Sequence, residues 1–132
     1  MDLEILKIAS NTDNHKIIYD CTHISRQKNP LCGDEMEISL KIKNNKIIEF
    51  GYQSKSCIYC QATVSLLSRK CINKPLKKIK EIISFALIFF DKSEGVFKKE
   101  WNEFNFLFQK KNISRKECLK LPFKTLSKAL KY

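Results

Sequence analysis

Residues 29–54, NPLCGDEMEISLKIKNNKIIEFGYQS, join a glycine-containing loop to a stretch in which apolar and polar side chains alternate. Every second residue from Met36 to Ile42 is apolar, which is the period of a half-buried β-strand. Asn44-Asn45 predicts a two-residue turn, since asparagine tolerates the positive φ that such turns require. The return strand runs to about Ser54, and three residues continue its apolar face: Ile48, Phe50 and Tyr52. The pattern predicts an antiparallel hairpin.

The loop before this hairpin carries a thiol and a carboxylate, Cys32 and Asp34, on either side of Gly33. Glycine adopts backbone angles that are closed to other residues, and Pro30 stiffens the start of the loop. The two side chains can therefore turn toward one point, where a soft sulfur and a hard oxygen could bind the same metal ion. We predict a ligand-bearing loop.

Two further cysteines stand where they could complete such a site. Cys57 follows the hairpin at the predicted start of a helix, and Cys118 precedes an amphipathic helix predicted to begin near Pro122. Free N–H groups and the helix dipole stabilise an anion at a helix N-terminus and lower the pKa of a thiol there. Three cysteines and one aspartate suit tetrahedral zinc or an iron–sulfur cluster. A buried free cysteine is the alternative at each position.

The remaining cysteines and histidines give weaker signals. Cys60 follows Cys57 in a single C-x-x-C pair, which is poor support for a zinc ribbon. It is therefore either a further thiol of the site or a packing residue of the helix. Cys21 and His23 lie in a possible strand over residues 21–27, as a buried thiol and a surface imidazole.

Length and composition favour one domain over residues 1–132, because the chain suits a single core and its 43% hydrophobic content is ordinary. The start at Met1 lacks the pattern of a signal peptide, so we expect a cytoplasmic protein. The apolar run from Ile82 to Phe90 is too short to cross a bilayer and predicts a core helix. Six cysteines in such a chain favour metal binding or catalysis over disulfides.

The formal charge of +11 raises the possibility of nucleic-acid binding. The basic residues are mostly lysines scattered along the chain, and lysine, asparagine and isoleucine share A/T-rich codons. The aromatic residues also follow core-like spacing rather than that of a base-stacking surface. Nucleic acid is therefore an unfavoured partner. Three glycines and no Gly-rich phosphate loop argue against an ordinary hydrolase or dehydrogenase.

Apolar spacing predicts the other helices. One begins at Pro75, a loop covers residues 91–95, and Trp101, Phe104, Leu107 and Phe108 form another helical stripe. Together with the hairpin and the possible strand, these segments predict an α+β fold with an antiparallel sheet of about three strands packed against helices.

Three motifs in this order resemble the iron–sulfur assembly proteins of the IscU/SufU (NifU N-terminal) family. They are NPLCGD before the hairpin, a cysteine opening the next helix, and Arg115-x-x-Cys118 followed by LPFKTLSKAL. The resemblance covers roughly residues 19–132 and implies a SufE/NifU-like fold. Three features look like the SufU branch: the long gap that separates Cys57 from Cys118, the presence of Arg115, and Glu117 in place of a histidine ligand.

The resemblance implies that Cys32, Asp34, Cys57 and Cys118 hold zinc or a nascent iron–sulfur cluster, with Asp34 as the weaker ligand that keeps the site labile. It also implies that Cys32 accepts sulfur from a SufS-type cysteine desulfurase, with Arg115 in a supporting role. The sulfur would pass to a downstream Suf scaffold or to apo iron–sulfur proteins. The chain would then be a scaffold or, at most, a sulfurtransferase-like carrier.

Two other functions stay open from the residues alone. Zinc could be a structural staple in an interaction module, as in small zinc domains. The charge also leaves a basic nucleic-acid-binding domain as an alternative.

Overall fold

The predicted hairpin is the centre of the fold. The computed structural model describes residues 3–92 and 95–132, so Ser93 and Glu94 of the loop predicted over 91–95 lie outside the described residues. Three strands form an antiparallel sheet in the order β1-β2-β3: β1 (His23–Lys28), β2 (Glu35–Lys43) and β3 (Lys46–Lys55). The α-helices are α1 (Leu3–Ala9), α2 (Ile58–Cys71), α3 (Leu76–Ile88) and α4 (Lys116–Leu130). The α+β prediction is confirmed, and the strand expected over 21–27 is β1.

The turn between β2 and β3 follows the sequence prediction. Asn44 and Asn45 have φ values of 54° and 60°, which is the left-handed region that a two-residue hairpin turn requires. Pairing extends from Lys43 with Lys46 at the turn to Glu35 with Lys55 at the far end. The predicted hairpin is therefore confirmed.

One predicted core position of the hairpin is wrong. The pairing passes from Lys41 with Glu49 to Ile42 with Ile47, so Ile48 is the extra residue of a β-bulge. A bulge shifts the alternation of the strand by one residue. Ile47 is fully buried in place of Ile48, which is only partly covered.

The helices cover one side of the sheet and each other. α2 packs against α1, β3 and α4, while α4 also packs against β1, β2 and α3. Because α2 lies between these elements, both apolar and small polar residues along it are buried. Pro75 precedes α3 as its N-cap residue, close to the predicted start of that helix.

The described residues between α3 and α4 include three short 3-10 helices: Phe89–Asp91, Lys99–Phe106 and Lys110–Arg115. The predicted aromatic stripe is buried here, with Phe104 and Phe108 against Phe123 of α4 at ring-centroid distances of 5.5 and 5.6 Å. The stripe is not the α-helix that its spacing suggested. Its first part is 3-10 helical, and Leu107 and Phe108 lie beyond the end of that helix.

The start of α4 also differs from prediction. The helix begins at Lys116, so Cys118 lies in its first turn and Pro122 lies inside the helix. Proline removes one intrahelical hydrogen bond. The helix continues through Pro122 because its apolar face, which includes Leu119, Phe123 and Leu126, is buried in the core.

Among the described residues, no helix is both long enough and apolar enough to cross a membrane. The segment from Ile82 lies in α3, whose Ile82, Ile83 and Ala86 are buried. This agrees with the core helix predicted there.

Gly51 sets how closely the N-terminal segment approaches the sheet. A Cβ atom at this position would lie 2.5 Å from the carbonyl oxygen of Lys16, 2.9 Å from Cγ1 of Ile18 and 3.1 Å from Oγ of Ser39. The same segment is tied to the sheet by the N–H of Ile18, which donates to Oγ of Ser39 at 3.1 Å. β3 therefore requires a residue without a side chain here.

We predict that Gly51→Ala lowers the free energy of unfolding by about 1–3 kcal/mol, since overpacking forces the neighbouring backbone to shift. Urea denaturation measures the change. Gln53→Ala, an exposed position on the same strand, is the control and should change stability by less than about 0.5 kcal/mol. Equal stability of Gly51→Ala and the wild type would contradict the close contact.

Candidate metal and sulfur site

The site lies at the end of the sheet opposite the hairpin turn. Glu35, the first residue of β2, pairs with Lys28 at the end of β1 and with Lys55 at the end of β3. The loop 29–34 and the connection from β3 to α2 therefore leave the sheet side by side. α4 packs across β1 and β2, which brings its first turn to the same place.

Backbone hydrogen bonds close the loop 29–34 on itself. The N–H of Asn29 donates to the carbonyl oxygen of Asp34, and the N–H of Gly33 donates to that of Asn29, both at 2.8 Å. Oδ1 of Asn29 also accepts the N–H of Leu31 at 3.0 Å. Gly33 has a φ of 78°, as predicted for a residue that turns its neighbours toward one point.

Three of the four predicted ligand residues are gathered in one cluster. The sulfurs of Cys32 and Cys118 are 3.9 Å apart. These two sulfurs and a carboxylate oxygen of Asp34 all lie within 4.8 Å of one another. Residues that are 86 positions apart in the chain thus present donor atoms to a common centre, as a single ion would require.

Cys57, the fourth predicted ligand residue, lies beside this cluster but is not one of the three residues that form it. It is the N-cap residue of α2, as the sequence predicted. Its backbone N–H points at Oδ2 of Asp34, with 3.4 Å between the two atoms, and its thiol interacts with that of Cys118. The donor set of thiols and one carboxylate fits zinc or iron, because thiolate ligands favour these metals.

The electrostatics of Cys118 differ from the prediction made from its helix position. Burial, with only 5% of the residue exposed, raises the pKa of the Cys118 thiol far above its ordinary value, and interactions with Cys57, Cys32 and Asp34 raise it further. The expected lowering of the pKa is therefore wrong for Cys118, since desolvation and neighbouring acidic groups outweigh the helix dipole. A cation would reverse this balance by stabilising the thiolates.

Cys60 lies in the first turn of α2 and is fully buried. Burial raises the pKa of its thiol, a hydrogen bond involving Ser56 opposes this, and the neighbouring Cys57, Asp34 and Cys32 raise it further. Three of the four predicted ligand residues thus contribute to the electrostatic environment of Cys60. It is a neighbour of the site as well as a packing residue of the helix.

Arg115 and Glu117 flank the start of α4 but face different neighbours. The exposed Arg115 guanidinium lies 5.4 Å from the ring centroid of Tyr59 in the first turn of α2, so it joins the N-termini of the two helices. Glu117 forms ion pairs of 3.2 Å with Lys120 and with Lys124. Burial disfavours the charge on Glu117, but these partners outweigh it and hold the pKa of the carboxyl below its usual value.

Asn29 and Tyr59 contribute to the site, although the sequence patterns above did not predict a role for either residue. Asn29 is buried and makes the turn that carries Cys32, and an Asn-Pro pair is a known local signal for such a turn. No local signal identifies Tyr59, because its contact with Arg115 joins residues far apart in the chain.

Comparisons with known proteins agree with this architecture. The family model for the NifU-like N terminal domain matches residues 4–89. The chain is 27% identical over 128 residues to the iron-sulfur cluster assembly scaffold protein IscU of Thermotoga maritima, covering 96% of this chain and 89% of that protein. It is 32% identical over 81 residues to IscU 1 of Archaeoglobus fulgidus, covering 58% of this chain and 53% of that protein.

Solved structures show the same fold. A NifU-like protein (N-terminal) from Brucella abortus has a TM-score of 0.91 at 15% identity, covering 98% of this chain and 91% of that one. The putative SUF-system scaffold protein FiSufU from Fervidobacterium islandicum AW-1 has a TM-score of 0.87 at 24% identity, covering 98% and 96%. Since the family model also covers more than half of the sequence, this chain belongs to the IscU/SufU family defined by the NifU-like N terminal domain.

Proposed function

We propose that this chain is a scaffold for iron–sulfur cluster assembly that accepts sulfur at Cys32 and holds iron and sulfur on Cys32, Asp34, Cys57 and Cys118. The observation that carries the proposal is the cluster of Cys32, Asp34 and Cys118, whose donor atoms lie within 4.8 Å of one another. Kinship with scaffold proteins named IscU supports the same role.

Cys32 is the residue best placed to receive sulfur from another protein. It is exposed at the end of the loop, next to Leu31, which is 82% exposed, whereas Cys118 and Cys60 are buried. In the transfer, the Cys32 thiolate attacks the outer sulfur of a persulfide on the donor enzyme. A new S–S bond forms on Cys32, and the donor cysteine leaves as a thiolate. We propose a SufS-type cysteine desulfurase as the donor.

Asp34 suits a site that must release its cargo. Its oxygen is a harder donor than the surrounding thiols, and Oδ2 also faces the N–H of Cys57 at 3.4 Å. The Asp34 carboxylate is therefore a weaker ligand for iron than a fourth thiolate would be. One replaceable ligand allows a bound cluster to leave for an acceptor.

The same four residues would also hold zinc. Zinc bound there would stabilise the thiolates that burial disfavours at Cys118. We propose that the chain belongs to the SufU branch, works in the cytoplasm as one domain over residues 1–132, and passes sulfur or clusters to a downstream Suf scaffold or to apo iron–sulfur proteins. Arg115 would support transfer by fixing the first turn of α4 against Tyr59 of α2.

A structural-zinc module is the less favoured function because the core does not depend on the cluster. Buried aromatic residues from α4 and the preceding segment, including Phe104, Phe108 and Phe123, pack together and form a continuous apolar interior with the sheet. Small zinc domains, by contrast, are unfolded without their metal.

We predict that removing bound metal with a strong chelator leaves the protein folded. The expected result is a retained helical circular dichroism signal and a cooperative thermal transition, since the buried core described above remains. Re-addition of zinc should raise the transition temperature, because a ligand that binds only the folded state stabilises it. Loss of the helical signal on chelation would instead favour the structural-zinc module.

We predict that Cys32→Ser abolishes the uptake of persulfide sulfur from a SufS-type desulfurase supplied with cysteine. A hydroxyl cannot replace the thiolate as the attacking group. Mass spectrometry of the chain measures the bound sulfur. Cys21→Ser is the control, since Cys21 is also partly accessible but lies outside the cluster, and it should load sulfur like the wild type. Unchanged loading of Cys32→Ser would refute the acceptor role.

We predict that Asp34→Asn weakens zinc binding by about tenfold or more, since even the outer partners of metal ligands contribute about 10–100-fold. The amide keeps the size of the side chain and can still accept the Cys57 N–H. Competition with a zinc-binding dye measures the affinity. Asp20→Asn is the control, because Asp20 is an exposed residue paired with Lys41 at 2.7 Å. Equal affinities of Asp34→Asn and the wild type would exclude Asp34 as a ligand.

A further inference from the structure

The proposed scaffold function gives no role to the thiol of Cys60, which lies near the site. Cys57 is the N-cap residue of α2, with φ −70° and ψ 168°, and Cys60 is in the first turn of the same helix. The Cys57 side chain makes no capping hydrogen bond, but an N-cap side chain can approach the third residue of its helix, which here is Cys60. Residues three apart in a helix have Cβ atoms about 5–6 Å apart, whereas a disulfide needs about 3.5–4.5 Å, so the extended backbone at Cys57 must turn toward Cys60 for the two sulfurs to bond.

The two thiols differ in access. Cys57 is partly exposed, whereas Cys60 is fully buried. A donor protein therefore cannot reach Cys60, which makes Cys60 unsuitable as a sulfur acceptor. Cys60 is nevertheless near the thiol cluster, because it lies three residues after Cys57 at the start of α2, where the N–H of Cys57 is 3.4 Å from Oδ2 of Asp34. Cys60 can therefore react only with sulfur that is already bound to a neighbouring cysteine of the site.

The proposed function creates a need for such a thiol. Sulfur arrives on Cys32 as the outer, sulfane sulfur of a persulfide, but the sulfur of an iron–sulfur cluster is sulfide. Each sulfur atom must therefore gain two electrons before it can bind iron as sulfide. Two neighbouring thiols supply two electrons when they form a disulfide.

We propose that Cys57 and Cys60 form a dithiol that reduces the sulfur delivered to Cys32 and releases it as sulfide within the metal site. This inference rests on the proposed scaffold function. It assigns to Cys60 a direct part in the chemistry, as the thiol that completes the reduction.

The reaction takes place in two exchanges. First, the Cys57 thiolate attacks the outer sulfur of the Cys32 persulfide; a Cys57 persulfide forms, and Cys32 leaves as a thiolate. Second, the Cys57 persulfide, in its anionic form, takes the proton of the Cys60 thiol, and the Cys60 sulfur attacks Sγ of Cys57; the Cys57–Cys60 disulfide forms, and the outer sulfur leaves as hydrosulfide, carrying the proton that came from Cys60. The two cysteines lose two electrons and the sulfane sulfur gains them. An external dithiol reductant then restores both thiols.

Cys71 provides a matched control. It lies at the other end of α2, is fully buried and free like Cys60, and burial likewise raises the pKa of its thiol. The described neighbours that affect it do not include a residue of the cluster. Substitution of Cys71 therefore reproduces the packing cost of losing a buried thiol from this helix without removing a thiol from the site.

The test uses the full chain, reduced, metal-free and anaerobic. The protein is loaded with glutathione persulfide, desalted, and followed for free sulfide and, by mass spectrometry after alkylation, for the state of each cysteine. The wild type and Cys71→Ala should release sulfide as Cys57 and Cys60 become a disulfide. Cys60→Ala should keep its persulfide and release sulfide at least about tenfold more slowly, since the intramolecular attack is lost. Cys60→Ser should behave like Cys60→Ala, and circular dichroism checks that all variants are folded.

Equal sulfide release by Cys60→Ala and the wild type would overturn the dithiol while leaving the scaffold intact, provided that Cys32 carries the persulfide in both. If Cys32 takes up no sulfur, both proposals fail. A second measurement does not depend on sulfur loading: in glutathione redox buffers, the wild type and Cys71→Ala should form a reversible Cys57–Cys60 disulfide. Failure to form it under oxidising conditions would also overturn the inference.

Discussion

The pairing of Glu35 with both Lys28 and Lys55 is the constraint on which the site depends. It ends β1 and β3 at the same level of the sheet, so that the loop 29–34 and the N-terminus of α2 lie side by side. A slip of one residue would exchange the two faces of β2 and expose its buried apolar residues. Burial of these apolar residues in the core therefore fixes the register of β2. This register in turn places Asp34 next to the N–H of Cys57.

Without a bound cation, the cluster disfavours negative charge on its thiols. Cys118 is buried beside Cys32 and Asp34, so ionisation of its thiol is opposed by desolvation and by its neighbours together. The fold nevertheless keeps these groups close, because α4 is anchored by Phe123 and Leu126 in the core and not by the cluster itself. Apolar packing thus maintains an arrangement of donors that a metal ion would stabilise.

The turns and the helix start that the sequence predicts correctly are determined by interactions between residues that are close in the chain. The positive φ values of Asn44 and Asn45, the turn at Gly33 and the N-cap position of Cys57 follow from residues within a few positions. The wrong predictions concern features that are determined by packing between residues far apart in the chain. The bulge that replaces Ile48 with Ile47 and the continuation of α4 through a proline both require the core to be known, and so does the direction of the Cys118 pKa.

The four thiols near the site differ in accessibility. Cys32 is exposed, Cys57 is partly covered, and Cys118 and Cys60 are buried. Cys32 is therefore the most accessible of the four thiols to an incoming protein, whereas Cys118 and Cys60 are covered. The sulfurs of Cys32 and Cys118 and a carboxylate oxygen of Asp34 lie within 4.8 Å of one another, so the accessible thiol belongs to the same group that could hold a metal ion. Under the proposed function, this order of burial would separate the acceptance of sulfur from its use, which a cluster of equally exposed thiols could not do.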